Sequence, residues 1–159
     1  MPLLKLDATD IRILAAVQKY GRLSKTALAA KVNLSATPCW TRLTRLEKAG
    51  IIRGYHADIA LDQIVNVTTV MLEVSLKQHR FTDFERFEKR IKEIDEIVEC
   101  IATGGGVDYI MKWVVPNIEA YQRLIDNLLV EDIGIERFFT YIVTREIKSS
   151  KPNLQALKQ

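Results

Sequence analysis

Residues 37–45 combine an aromatic ring, hydroxyl groups and guanidinium groups within one short stretch of the chain. Cys39, Leu43 and Leu46 recur at helical spacing and predict the buried face of a helix. The other faces then carry Trp40 together with threonines and arginines, where an ordinary surface helix carries Glu and Lys. Hydroxyl and guanidinium groups contact phosphates and base edges in protein–DNA complexes. The stretch therefore predicts a surface that binds nucleic acid.

A second group with binding chemistry is the glycine run Gly104, Gly105 and Gly106, which is followed by Asp108. A hairpin turn needs one or two glycines with positive φ angles, which is the purely structural interpretation. Three glycines expose several backbone N–H groups, and Asp108 adds a fixed negative charge. Such a loop can hold the carboxylate and the ammonium group of an amino acid. The chain lacks the G-K-[ST] sequence of a P-loop.

Three predicted helices position the first group of residues. Asp7 and Asp10 suit the positive N-terminal end of a first helix, which Gly21 ends. Ser24 caps a second helix, and Ser35 caps the third. Between them Asn33 tolerates the left-handed conformation of a tight turn.

This order, a short helix, a tight turn and a longer helix, predicts a helix-turn-helix whose last helix enters the major groove of DNA. Thr37, Trp40 and Thr41 then face bases or sugars, and Arg42 and Arg45 reach phosphates or a guanine edge. Packing of Trp40 on a neighbouring helix, and arginines that are merely solvated, are the alternatives. The residues predicted to contact DNA are Ser24, Lys25, Ser35, Thr37, Trp40, Thr41, Arg42 and Arg45.

The last two thirds of the chain predict a different unit. The segment 51–59 has strand character and would act as a hinge. Beyond it, Val70, Leu72, Val74 and Leu76 share one face of a strand. The later predicted elements are a helix over Phe84–Ile94, strands over 97–103 and 109–115, a helix over Ile118–Leu128, and a final strand over 135–148. The order β-α-β-β-α-β predicts a ferredoxin-like antiparallel sheet with both helices on one face.

The face of this sheet that carries no helices also needs a cover. Its candidate residues are Met111, Trp113, Phe138, Thr140 and Ile142. An open apolar sheet face predicts that the chain pairs with a second copy of itself.

The charge is divided unevenly along the 159 residues, whose net charge is +3. Residues 1–60 contain 10 Lys and Arg against 4 Asp and Glu, whereas residues 61–159 contain 13 against 16. A basic first third on an acidic remainder predicts a polyanion-binding module joined to a module of another kind, although charge alone does not exclude chance. The predicted divisions are a DNA-binding domain over 1–53, a hinge and linker over 54–65, a sensor domain over 66–148 and a tail over 149–159.

Other residue types restrict the class of protein. Cys39 and Cys100 occupy apolar positions and predict buried free thiols in a reducing cytosol. His56 and His79 show no metal-ligand spacing, so no metal and no cofactor is predicted. No apolar run has the roughly 18 residues of a membrane helix, and the first ten residues lack the features of a signal peptide. A cytoplasmic location is expected.

Four segments resemble the leucine-responsive and asparagine-responsive regulators, the Lrp/AsnC or feast/famine family. They are LDATDIRIL (6–14), GRLS (21–24), LAAKVNLSATPCWTRLTRLEKAGIIRGY (28–55) and TGGGVDYIMKWVVPNIEAY (103–121). The resemblance implies an α+β chain with an N-terminal winged helix-turn-helix domain and a C-terminal ferredoxin-like βαββαβ sensor domain called RAM. Where this chain has Asn33, the family usually has glycine.

The resemblance also implies the partners. Dimers form through the RAM sheets, assemble into tetramers or octamers, and bind a pseudo-palindromic operator in double-stranded DNA. A small-molecule effector, an amino acid or a related metabolite, binds near the glycine–aspartate loop. The resemblance implies that Gly104, Gly106, Asp108 and Tyr109 bind the effector. With Gly105 from the glycine run, these are the predicted effector-binding residues.

The expected function is therefore that of a transcription regulator, not an enzyme. One alternative is an architectural protein that wraps DNA without sequence choice. Another is an enzyme, since sirohaem decarboxylases share the architecture. Their anionic tetrapyrrole would call for basic residues and histidines in the second domain, which here is net acidic and carries His79.

Overall fold

The computed structural model describes residues 4–157, and the chain divides into two units. The first unit contains residues 4–59 and 148–157, and the second is Ala60–Ile147. The chain therefore passes between the units twice. Residues 149–157, which the sequence suggests are a tail, belong to the first unit.

Three helices form the first part of the first unit, and most of their predicted ends are confirmed. They are α1 (Ala8–Tyr20), α2 (Lys25–Val32) and α3 (Ala36–Lys48). Gly21 ends α1 with a φ of 68°, and the Ser24 hydroxyl accepts a hydrogen bond from the Ala27 N–H at 3.2 Å. Asn33 has φ 54° and ψ 52°, the left-handed conformation predicted for the turn.

Two predictions for this unit are wrong. Ser35 lies at the N-cap position of α3, but its side chain makes no capping hydrogen bond. The segment 51–59 forms no strand, because its first N–H groups bond to the end of the preceding helix. Those of Ile51 and Ile52 both donate to the Leu46 carbonyl, at 3.1 Å and 3.4 Å. The Tyr55 hydroxyl donates to Glu47 at 2.8 Å, which holds the segment against α3.

The second unit has the predicted ferredoxin-like order. Its elements are β1 (Thr68–Leu76), α4 (Phe81–Ile91), β2 (Ile97–Ala102), β3 (Tyr109–Val115), α5 (Ile118–Val130) and β4 (Ile135–Ile142). A short 3-10 turn, Leu61–Gln63, precedes β1. The four strands lie in the order β2-β3-β1-β4, and every pair is antiparallel. The last strand is shorter than predicted, because the Val143 N–H bonds to Thr69 near the start of β1 and little of β1 remains to pair beyond it.

The predicted composition of the open sheet face is wrong. Met111 and Trp113 lie opposite Leu72 and Val70 in the register and are fully buried on the face that the helices cover. Phe138, Thr140 and Ile142 have the same register parity, so they also belong to the helix side. The Thr140 hydroxyl accordingly lies 2.5 Å from the Tyr121 hydroxyl of α5.

The open face consists instead of the intervening residues of each strand. Its central apolar side chains are Met71, Ile110, Phe139 and Tyr141. Phe139 and Tyr141 are about half exposed. Glu73 and Lys112 lie among these side chains, so the face is mixed rather than purely apolar, and its residues differ from those expected.

The two cysteines differ. Cys39 is buried as predicted, but the prediction for Cys100 is wrong, since it is exposed. Cys100 lies on β2, an edge strand whose residues are mostly exposed. The sequence shows its apolar neighbours but does not show that the strand lies at an edge.

A last short helix, α6 (Leu154–Leu157), returns to the first unit and contacts α1. Leu154 packs against the core of α1–α3. None of the helices in the described part of the chain is long and apolar enough to cross a membrane. Residues 4–157 also contain no group of three or more His, Cys, Asp and Glu side chains placed to hold a metal ion.

Candidate nucleic-acid interface and sensor loop

One face of α3 is an exposed polar stripe. Thr37, Thr41, Arg45 and Lys48 are exposed and follow one another at the spacing of a single helix face. The opposite face, Cys39, Leu43 and Leu46, is buried in the core of the unit. At 1.5 Å per residue the stripe is about 16 Å long. Helix α3 thus offers a continuous row of hydroxyl and cationic groups. Lys48 belongs to this row, although it is not among the residues predicted from the sequence to contact DNA.

The turn before α3 fixes how that helix leaves α2. Leu34 is half-buried and packs against the core, and its N–H donates to the Ala29 carbonyl at 3.0 Å. With Asn33 in the left-handed conformation, the chain reverses within a few residues. Helices α2 and α3 pack against each other and against α1, which is the helix-turn-helix arrangement.

Lys25 and Trp40, both predicted to contact DNA, lie together. The Lys25 ammonium is 4.4 Å from the centre of the Trp40 ring, which is cation–π distance. Trp40 is half-buried and packs against the core of α1–α3, which agrees with the alternative interpretation of this residue. Of the predicted hydroxyl groups, that of Thr41 donates to the Thr37 carbonyl, and that of Ser24 caps α2.

Arg42 and Arg45 are not merely solvated. Arg42 Nη1 donates to Asp7 at 2.7 Å and to Asp10 at 2.9 Å, and Arg45 Nη2 donates to Asp10 at 2.6 Å. The Asp10 side chain is 1% exposed, so two α3 arginines surround one buried carboxylate of α1. The sequence shows Asp10 only as an acid near a helix start, and its ion pairs cross more than 30 positions of chain.

A second basic and aromatic group of the first unit was also missed. The Lys31 ammonium lies 3.9 Å from the centre of the Tyr20 ring, and that of Lys19 lies 5.2 Å away. Tyr20 is 47% exposed. Lys19 belongs to α1 and Lys31 to α2, so the spacing of residues in the sequence does not show that both contact the same ring.

The glycine run forms the tip of the β2–β3 hairpin, as predicted. The Thr103 N–H donates to the Asp108 carbonyl at 2.8 Å and closes the loop. Of the three glycines, Gly105 alone lies in the left-handed region, with a φ of 153°. Apart from the adjoining residues of the chain, no atom lies within 4 Å of the position that a Cβ would take at any of them. The loop tip is open, and its backbone is accessible to a ligand.

Asp108 connects this loop to the end of β1. Its carboxylate accepts a hydrogen bond from the Leu76 N–H at 2.7 Å and lies 3.1 Å from His79 Nε2. Its own N–H donates to the Val74 carbonyl at 2.9 Å. The carboxylate is thus held by Leu76 and His79, and the backbone of Asp108 is bonded to β1. His79 was missed as a member of this group, because 29 positions separate it from Asp108.

Tyr109, which follows the loop, is buried. Its ring is 2% exposed and lies 4.6 Å from that of Phe87, and its hydroxyl donates to Glu88 at 2.9 Å. Burial, together with the hydrogen bond to Glu88, raises the pKa of the Tyr109 phenol. The structure therefore brings Gly104, Gly105, Gly106 and Asp108 together at the loop and places Tyr109 in the core beneath it.

A helix-turn-helix unit joined to a ferredoxin-like unit with an open loop defines a class of protein, the DNA-binding transcription regulators that carry a ligand-binding domain. Family models agree with both units. Winged helix-turn-helix DNA-binding matches residues 6–53, and the Lrp/AsnC ligand binding domain matches residues 69–153. The chain belongs to the Lrp/AsnC family of transcription regulators.

Proteins of similar sequence are named as transcription regulators. The chain is 49% identical over 145 residues to the transcriptional regulatory protein DoeX of Halomonas elongata, covering 91% of this chain and 92% of that one. It is 37% identical to the leucine-responsive regulatory protein of Escherichia coli strain K12, with coverages of 91% and 88%. These relatives are regulators rather than enzymes, which sets aside the decarboxylase alternative.

Solved structures show the same fold. An L-methionine complex of a transcriptional regulator from Neisseria meningitidis superposes with a TM-score of 0.87 at 30% identity. The match covers 96% of this chain and 100% of that chain. An AsnC family transcriptional regulator from Agrobacterium tumefaciens also gives 0.87 at 30% identity, over 96% and 99%.

Proposed function

We propose that this chain is a sequence-specific transcription regulator of the cytoplasm whose second unit binds an amino acid or a close derivative. The observation that carries the proposal is the stripe of α3, where Thr37, Thr41, Arg45 and Lys48 stand exposed on a helix packed behind a tight turn. Such a helix fits the major groove, with its N-terminal residues toward base edges and its cations toward phosphates.

Enrichment of DNA from a random-sequence duplex library, followed by footprinting, tests sequence choice. A two-fold dimer should protect two half-sites about 10 bp apart, or a multiple of that distance. The architectural alternative has one observation in its favour, the basic balance of residues 1–60. That role predicts no enriched sequence and a uniform protection whose length grows with the amount of protein.

Substitutions on α3 separate phosphate contacts from base contacts. Arg45→Ala should weaken binding to all DNA and reduce the slope of log affinity against log salt by about one unit. Thr41→Ala should instead change the preference between sites, by about 1–3 kcal/mol for a lost base contact. Unchanged affinity, slope and preference in both variants would rule out α3 as the recognition helix.

The glycine–aspartate loop is the proposed effector site. The N–H groups of Gly104, Gly105 and Gly106 would receive the carboxylate of an amino acid, and Asp108 would pair with its ammonium group. The L-methionine complex of the Neisseria meningitidis regulator supports an amino-acid ligand. A thermal-shift screen of the amino acids and their derivatives tests this, since a ligand at 100 times its Kd stabilises a protein by about 2.7 kcal/mol.

The open face of the sheet supports a dimer, which could assemble further into a tetramer or octamer. Met71, Ile110, Phe139 and Tyr141 are its apolar side chains and lie beside Glu73 and Lys112. Two copies facing each other would remove these apolar groups from water. Light scattering should give the mass of a dimer or of a multiple of it. A monodisperse monomer at micromolar concentration would contradict this part of the proposal.

A further inference from the structure

Asp10 is a buried carboxylate, so it cannot contact DNA directly. Both of its oxygens are occupied: Oδ1 accepts from Arg42, and Oδ2 accepts from Arg45 and from the Asp7 N–H at 3.1 Å. Buried charges are retained in proteins where they are paired and hydrogen-bonded, as this one is. The cluster therefore links the start of α1 to the exposed side of α3.

We propose that Asp10 is a positioning residue for DNA recognition, which holds the guanidinium groups of Arg42 and Arg45 in fixed orientations and so favours the selected site over other DNA. This inference rests on the proposed function, because it concerns how the recognition helix reads its site. Arg42 and Arg45 are three positions apart and lie side by side on the helix surface. One carboxylate therefore orients both.

The arginines keep the capacity to bind DNA while they bind Asp10. A guanidinium group has five N–H donors, and Asp10 engages one nitrogen of each arginine. The Arg42 and Arg45 side chains remain 34% and 46% exposed. An arginine held in one orientation loses less conformational freedom when it binds a matching group, and it cannot swing to meet a phosphate in another place.

Asp10 also limits binding to DNA of any sequence. Its negative charge offsets part of the attraction of two cations for phosphates, whose contribution to affinity does not depend on sequence. Replacing Asp10 by Asn keeps the size of the side chain but removes its negative charge. It also places an amide NH2, which cannot accept a hydrogen bond, against one of the two guanidinium groups. Affinity for arbitrary DNA should then rise, whereas affinity for the selected site should fall or stay constant.

The experiment uses the full-length protein and the duplex that the wild-type protein enriches from a random-sequence library. Affinity is measured for this duplex and for a scrambled duplex of the same composition, over a series of salt concentrations. Asp10→Asn should lower the ratio of the two affinities about fivefold or more and steepen the salt dependence on scrambled DNA. Asp58→Asn, at an exposed carboxylate of the same unit, makes the same change of charge and should leave the ratio near wild type.

A double substitution tests whether Asp10 acts through the arginines. In an Arg42→Ala, Arg45→Ala background, Asp10→Asn should no longer change the ratio, since no guanidinium remains to be positioned. If Asp10→Asn fails to fold by circular dichroism, Asp7→Ser takes its place. This change keeps a capping oxygen and removes one carboxylate from Arg42, and a smaller fall of the ratio is then expected.

Three results would overturn the inference. They are a folded Asp10→Asn protein with a ratio within twofold of wild type, an equal effect of Asp58→Asn, and a loss that persists in the double-alanine background. A wild-type protein that enriches no sequence would contradict the proposed function, and with it this role of Asp10. Enrichment by the wild type combined with an unaffected variant would contradict the role of Asp10 alone.

Discussion

The turn between α2 and α3 allows a prediction whose size follows from one backbone angle. Asn33 has φ 54° and ψ 52°, a conformation that costs most L-residues roughly 1–2 kcal/mol. Asparagine is several-fold enriched there, because its short polar side chain is tolerated, whereas alanine has no such compensation. We therefore expect Asn33→Ala to lower the free energy of unfolding of the first unit by about 1 kcal/mol.

Asn33→Gly is the matched comparison. Glycine adopts positive φ at no steric cost, but it also gives the unfolded chain more freedom, worth about 0.4–1 kcal/mol. The two effects oppose each other, so the glycine variant should stay within about 0.5 kcal/mol of wild type. The expected order of stability places Asn and Gly together and Ala below them.

Amide hydrogen exchange measures this within one unit. A loss of about 1 kcal/mol raises the open population, and with it the exchange of globally protected amides, about fivefold. Amides in the cores of α1 and α3 should show that acceleration in Asn33→Ala, and those of β3 in the second unit should exchange as in wild type. Equal protection in the Asn33→Ala and wild-type proteins would refute the left-handed turn, and an acceleration in β3 would show that the effect is not local.

Three further predictions follow from other contacts. Asp108→Asn should weaken binding of the amino acid found by thermal shift about 10- to 150-fold in calorimetry, the equivalent of a charged hydrogen bond of about 1.5–3 kcal/mol. Asp95→Asn, at an exposed carboxylate, is the control and should not weaken it. Equal affinity of the Asp108→Asn and wild-type proteins would show that the effector binds elsewhere. The Asp10 N–H, which donates a hydrogen bond to Asp7, and the Arg42 guanidinium together lower the pKa of Asp7 from 3.8 to about 2. The contribution of Asp7 to stability is therefore present above pH 3.8 and is lost as the pH falls through 2. Asp7→Asn should flatten this part of an acid titration of stability, and an unchanged curve would contradict the Asp7–Arg42 pair. Phe87→Ala, at a fully buried side chain under the sheet, should lower the free energy of unfolding of the second unit by about 3–5 kcal/mol in urea, and a loss below about 1 kcal/mol would contradict its burial.

Features encoded by neighbouring residues could be predicted from the sequence. The left-handed turn at Asn33 and the cap at Ser24 depend on the conformational preferences of single residues. Strand β3 has the predicted bounds, because its alternating apolar residues lie between a glycine loop and Pro116. The buried and exposed faces of α3 followed from helical periodicity in the same way.

Features that depend on distant parts of the chain could not be predicted. Trp113 and Cys100 both lie in apolar strand patterns, and only the strand order shows that one strand is central and the other lies at an edge. The assignment of Met111 to the open face failed because a strand pattern separates two faces without saying which one the helices cover.

The candidate sites repeat this division between local and distant determinants. Residue types led to the prediction that Arg45 on α3 contacts DNA and that Asp108 on the loop contacts an effector. The partners that hold those groups lie far away in sequence: Asp10 is 35 positions from Arg45, and His79 is 29 from Asp108. In the first unit the Asp10 carboxylate, and in the second unit the Asp108 carboxylate, is held by residues from other parts of the chain, whereas the sequence shows each only as an acidic residue. A charge held in this way resists reorientation, so a ligand that matches its position binds without the cost of ordering it. Under the proposed function, selectivity for DNA in the first unit and for a small molecule in the second should therefore depend as much on these partners as on the groups that would make contact.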